Sequence, residues 1–337
     1  MKTFTSSRRR FIGVFAASAG LGMTPLMLRK ASAMTLEPAV WRGIALGADA
    51  ELHIYHPSEQ KARQLIELAV AEVRRLENIF SLYQEDSVLS RLNREGSIDN
   101  PPADFIRLLS DSKYFSTLTS GAFDPSVQSL WKLYAEHFTQ NPGATSEPDA
   151  AEVRRVLGLV NYRQIYIEDR RAGFLMPGMA LTLNGIAQGY ITDRVTQLLR
   201  QAGLDRALVD MGEIRGLDVN DSGPDWKAGI RDPEQAGRIL ASIPLKNEAL
   251  STSGGYGTTL DEAGKFTHLF NPLSGACQPA YRSVSVRAPN ATTADALSTA
   301  FSVMSLDDIK AVVNPLPGVG VWLLMPDGTQ NRFGQIA

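Results

Sequence analysis

The sequence has 337 residues, of which 44% are hydrophobic and 21% charged, a globular composition that excludes a disordered, collagen-like or coiled-coil chain. The first 33 residues contain six basic and no acidic residues, so the remainder holds 28 basic and 36 acidic residues and a net charge of −8. Because phosphate binding requires a basic face, this acidic remainder argues against a nucleic-acid partner.

The N-terminal segment, residues 1–33, has the order of a signal peptide. Three arginines at residues 8–10 precede a diluted apolar stretch over 11–28, and small residues follow it. Adjacent arginines ahead of a weakly hydrophobic stretch favour the twin-arginine route, which exports folded proteins to the bacterial periplasm. A membrane anchor is the alternative, but the stretch is marginal in length and interrupted by Pro25. We expect cleavage after this segment, leaving residues 34–337 as one domain.

Hydrophobic periodicity predicts a strand over residues 43–56, entered through a glycine turn, and helices over 59–80 and 103–118, followed by a polar loop over 138–150. Later helices are predicted at 152–159, from the glycine-rich turn at 184–189 as far as Gly203, at 292–304 and at 305–314. Strands are predicted at 164–168, 180–183, 206–211, 226–230, 239–243, 283–287 and 319–325. Strands and helices mix without regular βαβ alternation, which indicates an α+β fold. Cys277 is the only cysteine, so an internal disulfide is excluded.

Asp295 and Thr299 form the strongest physical pair for chemistry. They lie four residues apart in a predicted helix, so both side chains share one face. A carboxylate and a hydroxyl oxygen suit a hard cation such as Mg²⁺. We expect Thr292 or Thr293 to cap this helix. The alternative is that Asp295 only complements the helix dipole and Thr299 only packs.

Four glycine-containing turns, at residues 120–125, 184–190, 211–213 and 252–256, place backbone N–H groups where they can hold a phosphate. Their alternative role is that of ordinary tight turns, since no dinucleotide-binding fingerprint and no phosphate-loop lysine occur. His268 is a candidate general base, although a single histidine beside apolar residues is more often structural. The sequence contains neither a nucleophile elbow nor a zincin motif, which argues against a serine hydrolase or zinc protease.

Taken in order, six segments resemble the ApbE family of FAD:protein FMN transferases, over about residues 43–328. The leader and the wording of residues 181–190 are most similar to the NosX-type branch, which is associated with nitrous-oxide reductase maturation. The segments are Phe80–Tyr83 with Ser87–Asn93, Gly121–Pro125, Asn184–Tyr190 with Asp193, Thr252–Gly254, His268–Pro272 with Gly275, and Ala294–Leu297 with Thr299.

The resemblance implies an enzyme that cleaves FAD at its pyrophosphate, attaches FMN through a phosphodiester to a Ser or Thr hydroxyl of a target protein, and releases AMP. It implies a membrane-bound electron-transfer protein as acceptor and a T-fold-like α+β architecture around a flavin cleft. It also implies Mg²⁺ held by Asp295, Thr299 and the backbone carbonyl of Ala187. His268 is the candidate catalytic base and Asp124 the rival. The implied FAD contacts are Leu46, Tyr83, Ala122, Phe123, Asp124, Asn184, Gln188, Tyr190, Ser253, His268 and Leu269.

The sequence departs from the family's usual pattern at five positions. Thr182 stands where an aspartate is usual, Asn184 for glycine, Gln188 for lysine, Asn271 for aspartate and Leu46 for methionine. Two alternatives therefore stay open. One is a Mg²⁺-dependent FAD pyrophosphatase that uses water as acceptor, and the other is an exported FAD-binding maturation factor without turnover.

Overall fold

The computed structural model describes residues 12–14, 37–220, 224–235 and 237–336. The predicted signal peptide therefore lies outside the described residues, apart from a three-residue strand at Ile12–Val14. Within the described part of the chain, no helix combines the length and apolarity needed to cross a membrane.

Eight helices are present among the described residues. Two of them match their sequence prediction to the residue, at 59–80 and 103–118. The helices are α1 (Glu59–Phe80), α2 (Val88–Glu95), α3 (Ala103–Leu118), α4 (Gln128–Gln140), α5 (Ala150–Leu157), α6 (Ala187–Gln201), α7 (Ala291–Phe301) and α8 (Leu306–Val313).

Fourteen strands are described, and each paired strand runs antiparallel to its neighbours. They are β1 (Ile12–Val14), β2 (Ala39–Ala45), β3 (Ala48–Ile54), β4 (Ser97–Asp99), β5 (Ile165–Glu168), β6 (Arg171–Phe174), β7 (Arg206–Asp210), β8 (Ile214–Asp218), β9 (Trp226–Arg231), β10 (Ile239–Leu245), β11 (Ala249–Ser253), β12 (Ser283–Ala288), β13 (Gly320–Leu324) and β14 (Gln330–Gly334).

The main sheet has eight strands in the order β14-β13-β12-β11-β8-β7-β3-β2. Two three-stranded sheets, β1-β9-β10 and β4-β6-β5, flank it. Helices α1, α6 and α7 pack together, and α7 also contacts β11 and β12. Segregated helices on antiparallel sheets confirm the predicted α+β class.

The predicted strand at 43–56 is wrong, because the segment contains a hairpin. Leu46 and Gly47 have φ of 47° and 79°, the pair of positive values that a tight hairpin turn requires. The backbone N–H of Leu46 donates to the Glu77 carboxylate at 2.7 Å, which fixes the turn against α1. The predicted glycine turn is thus present at Gly47, but it joins two strands, β2 and β3, where a single strand was expected.

Other elements also differ from the prediction, and three of these differences have a clear outcome in the structure. Residues 180–183 form no strand, since Asn93 takes both hydrogen bonds of the Leu181 backbone, at 2.7 and 2.8 Å. Helix α4 continues to Gln140, inside the predicted loop. Helix α7 is capped by Asn290, whose side chain accepts from the N–H of Thr293 at 2.8 Å, and neither predicted threonine is its cap.

Candidate active site

A cavity of about 570 Å³ lies where α2, α4, the approach to α6, the end of β11 and the segment around His268 meet. This volume is in the range of small-molecule sites. The structure brings nine of the predicted site residues to its wall, from segments far apart in the chain. They are Tyr83, Ala122, Phe123, Asp124, Asn184, Ser253, His268, Leu269 and Thr299.

The His268 ring is oriented by a backbone carbonyl. Its Nδ1 lies 3.0 Å from the carbonyl oxygen of Thr258. A carbonyl only accepts, so Nδ1 must carry a proton, and in the neutral ring Nε2 then keeps the basic lone pair. The backbone N–H of His268 bonds to the same carbonyl at 3.1 Å, which holds the residue at two points. A half-buried, oriented imidazole on a cavity wall has the geometry of a general base.

Asp124 has a different environment from that of His268. One carboxylate oxygen accepts from the backbone N–H of Ser126 at 2.9 Å and from its hydroxyl at 2.6 Å. The other accepts from the backbone N–H of Tyr162 at 2.8 Å. Burial raises the pKa of the Asp124 carboxyl, while these donors act in the opposite direction. Since both oxygens already hold loops in place, the contacts favour His268 over Asp124 as the base.

Helix α7 carries Asp295 and Thr299 on one face, as the spacing predicted. Asp295 is almost fully buried, and one of its carboxylate oxygens accepts from the backbone N–H of Gly189 at 2.9 Å. The Thr299 hydroxyl faces Gly185, where an added Cβ would lie 2.9 Å from it. Glycine at positions 185 and 189 therefore lets α7 approach closely enough to place both oxygens beside the start of α6.

These residues fit a hard divalent cation. Among the described residues no group of three or more His, Cys, Asp or Glu side chains is arranged to hold a metal. The Asp295 carboxylate, the Thr299 hydroxyl and the carbonyl oxygen of Gly185, 3.4 Å from that hydroxyl, form an oxygen-only donor set with a single formal charge. Mg²⁺ is commonly held in this way, by one or two carboxylates, with substrate phosphates completing the shell.

Five predicted residues do not line the cavity: Leu46, Ala187, Gln188, Tyr190 and Asp295. The hydroxyl of Tyr190 donates to Asp104 at 2.6 Å, on the side of α6 that faces α1 and α3. Gln188 is buried against Gly212, and neither atom of its side-chain amide has a hydrogen-bond partner among the described residues. The expected flavin contacts of Leu46, Gln188 and Tyr190 are therefore not seen at this wall.

The sequence did not predict the side of the cavity that is formed by α4 and the end of α2. Gln128, Trp131 and Lys132 project into it from α4, together with Arg94 at the end of α2. The i, i+3, i+4 spacing of the α4 residues was the available signal, because these positions share a helix face. It was passed over because α4 was not predicted.

The ApbE family model matches residues 46–323 of this chain. The FAD:protein FMN transferase of Treponema pallidum (strain Nichols) is 31% identical over 277 residues, covering 74% of each chain. The enzyme of the same name from Haemophilus influenzae is 28% identical over 260 residues, again covering 74% of each. The crystal structure of the ApbE protein from Thermotoga maritima superposes with a TM-score of 0.76 at 28% identity, covering 89% of this chain and 97% of that one. The chain therefore belongs to the ApbE family.

Proposed function

We propose that this protein transfers FMN from FAD to a Ser or Thr hydroxyl of a target protein, forms a phosphodiester and releases AMP. The two relatives described above carry the name FAD:protein FMN transferase, and this chain matches 74% of the length of each. The observation that carries the proposal is the oriented His268 ring in a cavity whose wall also includes Thr299. The candidate base and one of the three proposed metal-side residues therefore line the same cavity.

The chain's own groups divide the reaction between them. Nε2 of His268 takes the proton of the acceptor hydroxyl, which is a weak nucleophile at neutral pH. The hydroxyl oxygen then forms a bond to the phosphorus on the FMN side, and the bond from that phosphorus to the bridging oxygen breaks. AMP leaves with the electron pair of that bond. The apolar Phe123 and exposed Tyr83 offer aromatic faces for the rings of FAD.

Asp295, Thr299 and the carbonyl of Ala187 are the residues that would hold Mg²⁺. When bound, the ion neutralises negative charge on the pyrophosphate. The backbone N–H groups that begin α6 add positive potential on the same side, since a helix N-terminus favours an anion. Gln188 contributes no charge to the pyrophosphate from its position.

The proposal includes the place of action. A twin-arginine leader over residues 1–33 supports export of the folded protein to the periplasm. A membrane-bound electron-transfer protein, such as that of the nitrous-oxide reductase system, is the proposed acceptor class. The resemblance of the leader and of residues 181–190 to the NosX-type branch supports this assignment.

Intact-mass spectrometry tests the activity. The mature protein is incubated with FAD, Mg²⁺ and an acceptor domain that carries the family's Ser/Thr motif, with an EDTA control. We expect a metal-dependent mass gain equal to FMN minus water, together with released AMP. FMN and AMP in solution without a mass gain would instead indicate the pyrophosphatase. Intact FAD beside a proven acceptor would indicate a binding factor without turnover.

A further inference from the structure

Three buried serines form a chain of hydroxyl groups that ends at the cavity wall. The Oγ atoms of Ser251 and Ser253 lie 2.9 and 2.8 Å from the Oγ atom of Ser298. The Ser298 hydroxyl also reaches the backbone carbonyl of Asp295, at 3.0 Å. Ser251 and Ser298 are fully buried, whereas Ser253, at the end of β11, lines the cavity. The hydroxyl chain therefore connects α7 with the cavity wall.

The direction of each hydrogen bond in this chain follows from the number of protons. Three hydroxyl protons serve three contacts, and the Asp295 carbonyl can only accept. Ser298 therefore gives its proton to that carbonyl, and Ser251 and Ser253 both donate to the Oγ atom of Ser298. Any other arrangement leaves one of the three contacts without a hydrogen, which costs free energy at buried hydroxyls. Because its proton is directed to α7, Ser253 presents only lone pairs to the cavity.

We infer that Ser253 accepts a hydrogen bond from a sugar hydroxyl of FAD and that Ser298 is the positioning residue that sets this direction. The inference rests on the proposed function, since FAD is the ligand. An ionised pyrophosphate has only acceptor oxygens, so it cannot pair with a hydroxyl whose proton is already engaged. FAD carries hydroxyl groups on both sides of its pyrophosphate, on the ribityl chain and on the ribose of its AMP half.

The position of Ser253 favours a sugar hydroxyl over an N–H group of the flavin or adenine ring. Its partner Ser298 directly precedes Thr299 on α7, and Thr299 is one of the residues proposed to hold Mg²⁺ at the pyrophosphate. The hydroxyl groups of both sugars are only a few bonds away from the phosphates, whereas the N–H groups belong to rings at the two ends of FAD. A donor that meets Ser253 beside α7 is therefore a sugar hydroxyl.

Ser253→Ala is the first test, with the Kd of FAD, FMN and AMP measured by calorimetry. Loss of one hydrogen bond should weaken FAD binding by about three- to tenfold. The half that weakens with FAD, FMN or AMP, identifies the ribityl chain or the ribose as the donor. Ser112→Ala is the matched control, because Ser112 is fully buried on α3, donates to the carbonyl of Leu108 at 2.7 Å and does not line the cavity. This control should bind all three ligands like the parent.

Ser298→Ala tests the positioning role. Without the Ser298 hydroxyl, the proton of Ser253 has no partner on α7 and is free to turn toward the cavity, so the Kd of FAD should rise. The double variant should bind FAD no more weakly than Ser253→Ala alone, because Ser298 acts through Ser253. Thermal unfolding of each variant measures stability separately from this coupling. If Ser298→Ala does not fold, Ser253→Ala still decides whether a sugar hydroxyl is bound.

Three results would overturn the inference. Parental Kd values for FAD, FMN and AMP in Ser253→Ala would show that Ser253 does not contact FAD. If Ser253→Ala also weakened a dideoxy-AMP or a flavin with a deoxyribityl chain, the bound group would not be a hydroxyl. Additive effects in the double variant would remove Ser298 from the positioning of Ser253. All these titrations omit the acceptor protein, so a parent chain that binds FAD without transferring FMN would refute the proposed function and leave this test intact.

Discussion

Gly189→Ala probes the contact between α6 and α7 on which the metal-side residues depend. A Cβ added at Gly189 would lie 2.6 Å from the carbonyl carbon of Ala291 and 2.8 Å from the Cβ of Asp295. Both neighbours are rigid parts of α7, so no flexible side chain can move aside. Ordinary contacts begin near 3.4 Å, so the two helices must separate by about 1 Å.

This displacement would lower the free energy of unfolding. Overpacking of a tight core costs about 1–3 kcal/mol, and replacing a helical glycine by alanine returns up to about 1 kcal/mol. We therefore expect the free energy of unfolding to fall by about 1 kcal/mol, at the middle of a range of about 0–2 kcal/mol. The same separation moves Asp295 away from the start of α6, and a 1 Å misplacement of a reacting group costs about 100-fold in rate.

The assays are thermal or urea unfolding and the rate of FMN transfer. Gly158→Ala is the control, because Gly158 also has a helical conformation, at the end of α5, with its nearest neighbour 3.3 Å from an added Cβ. The control should keep both stability and activity. If Gly189→Ala unfolded like the parent and transferred FMN at the parental rate, the tight contact would not be what positions Asp295.

Three further outcomes are expected. Asp295→Ala should abolish transfer and Mg²⁺ binding by calorimetry while leaving the circular dichroism spectrum intact; full activity with Mg²⁺ would remove Asp295 from the metal site. His268→Ala should keep the Kd of FAD and slow transfer by about 10²–10⁴-fold, the usual contribution of a general base; a parental rate would exclude the histidine from the mechanism. Burial raises the pKa of the Asp104 carboxyl, but the Tyr190 hydroxyl and the Arg75 guanidinium lower it further, and its net pKa lies below the ordinary value. Asp104 therefore stabilises the fold above the unfolded pKa of about 4 and loses this contribution as the pH falls below it, so Asp104→Asn should reduce the loss of stability in acid.

Helices with a complete amphipathic stripe were predictable from the sequence. The apolar positions of α1, from Ala62 to Phe80, are buried at the expected spacing, and Ser58 caps the helix through the N–H of Lys61. Helix α2 was not predicted, although α5 and α8, which also have eight residues, were, because the position of α2 depends on a distant contact. The bonds between Asn93 and Leu181 join positions 88 apart, and no local pattern records such a pairing.

The residues of the candidate site likewise differ in whether the sequence could predict them. His268 was found as a candidate base, Thr299 as the helix-face partner of Asp295, and Ser253 within a glycine-containing turn, and all three line the cavity. Tyr190 was expected at the flavin because it lies within a resembling segment. It instead donates to Asp104, since its position on α6 faces α1 and α3 and not the cavity. Membership in a motif therefore did not decide which side of a helix faces the cavity.

A spacing of four residues, from the turn before α6 into the helix, sets how α6 and α7 pack. Gly185 lies in that turn and Gly189 and Asp193 follow on α6, and they meet Thr299, Asp295 and Thr292 in reverse order along α7. The two helices are therefore antiparallel. The Asp193 carboxylate accepts from the backbone N–H of Thr292 at 2.8 Å and from its hydroxyl at 2.6 Å.

Each of these contacts between α6 and α7 restrains a different part of α7. The Asp193 contacts fix the N-terminus of the helix, and the two glycines fix its distance from α6 one and two turns further along. Asp295 lies between these restraints, so neither sliding nor separation of the helices is available to it without breaking a contact. Its position is thus set by packing and hydrogen bonds with α6, and no second carboxylate is needed to hold it. The glycines at 185 and 189 thus determine how closely α7, and with it Asp295, approaches the start of α6.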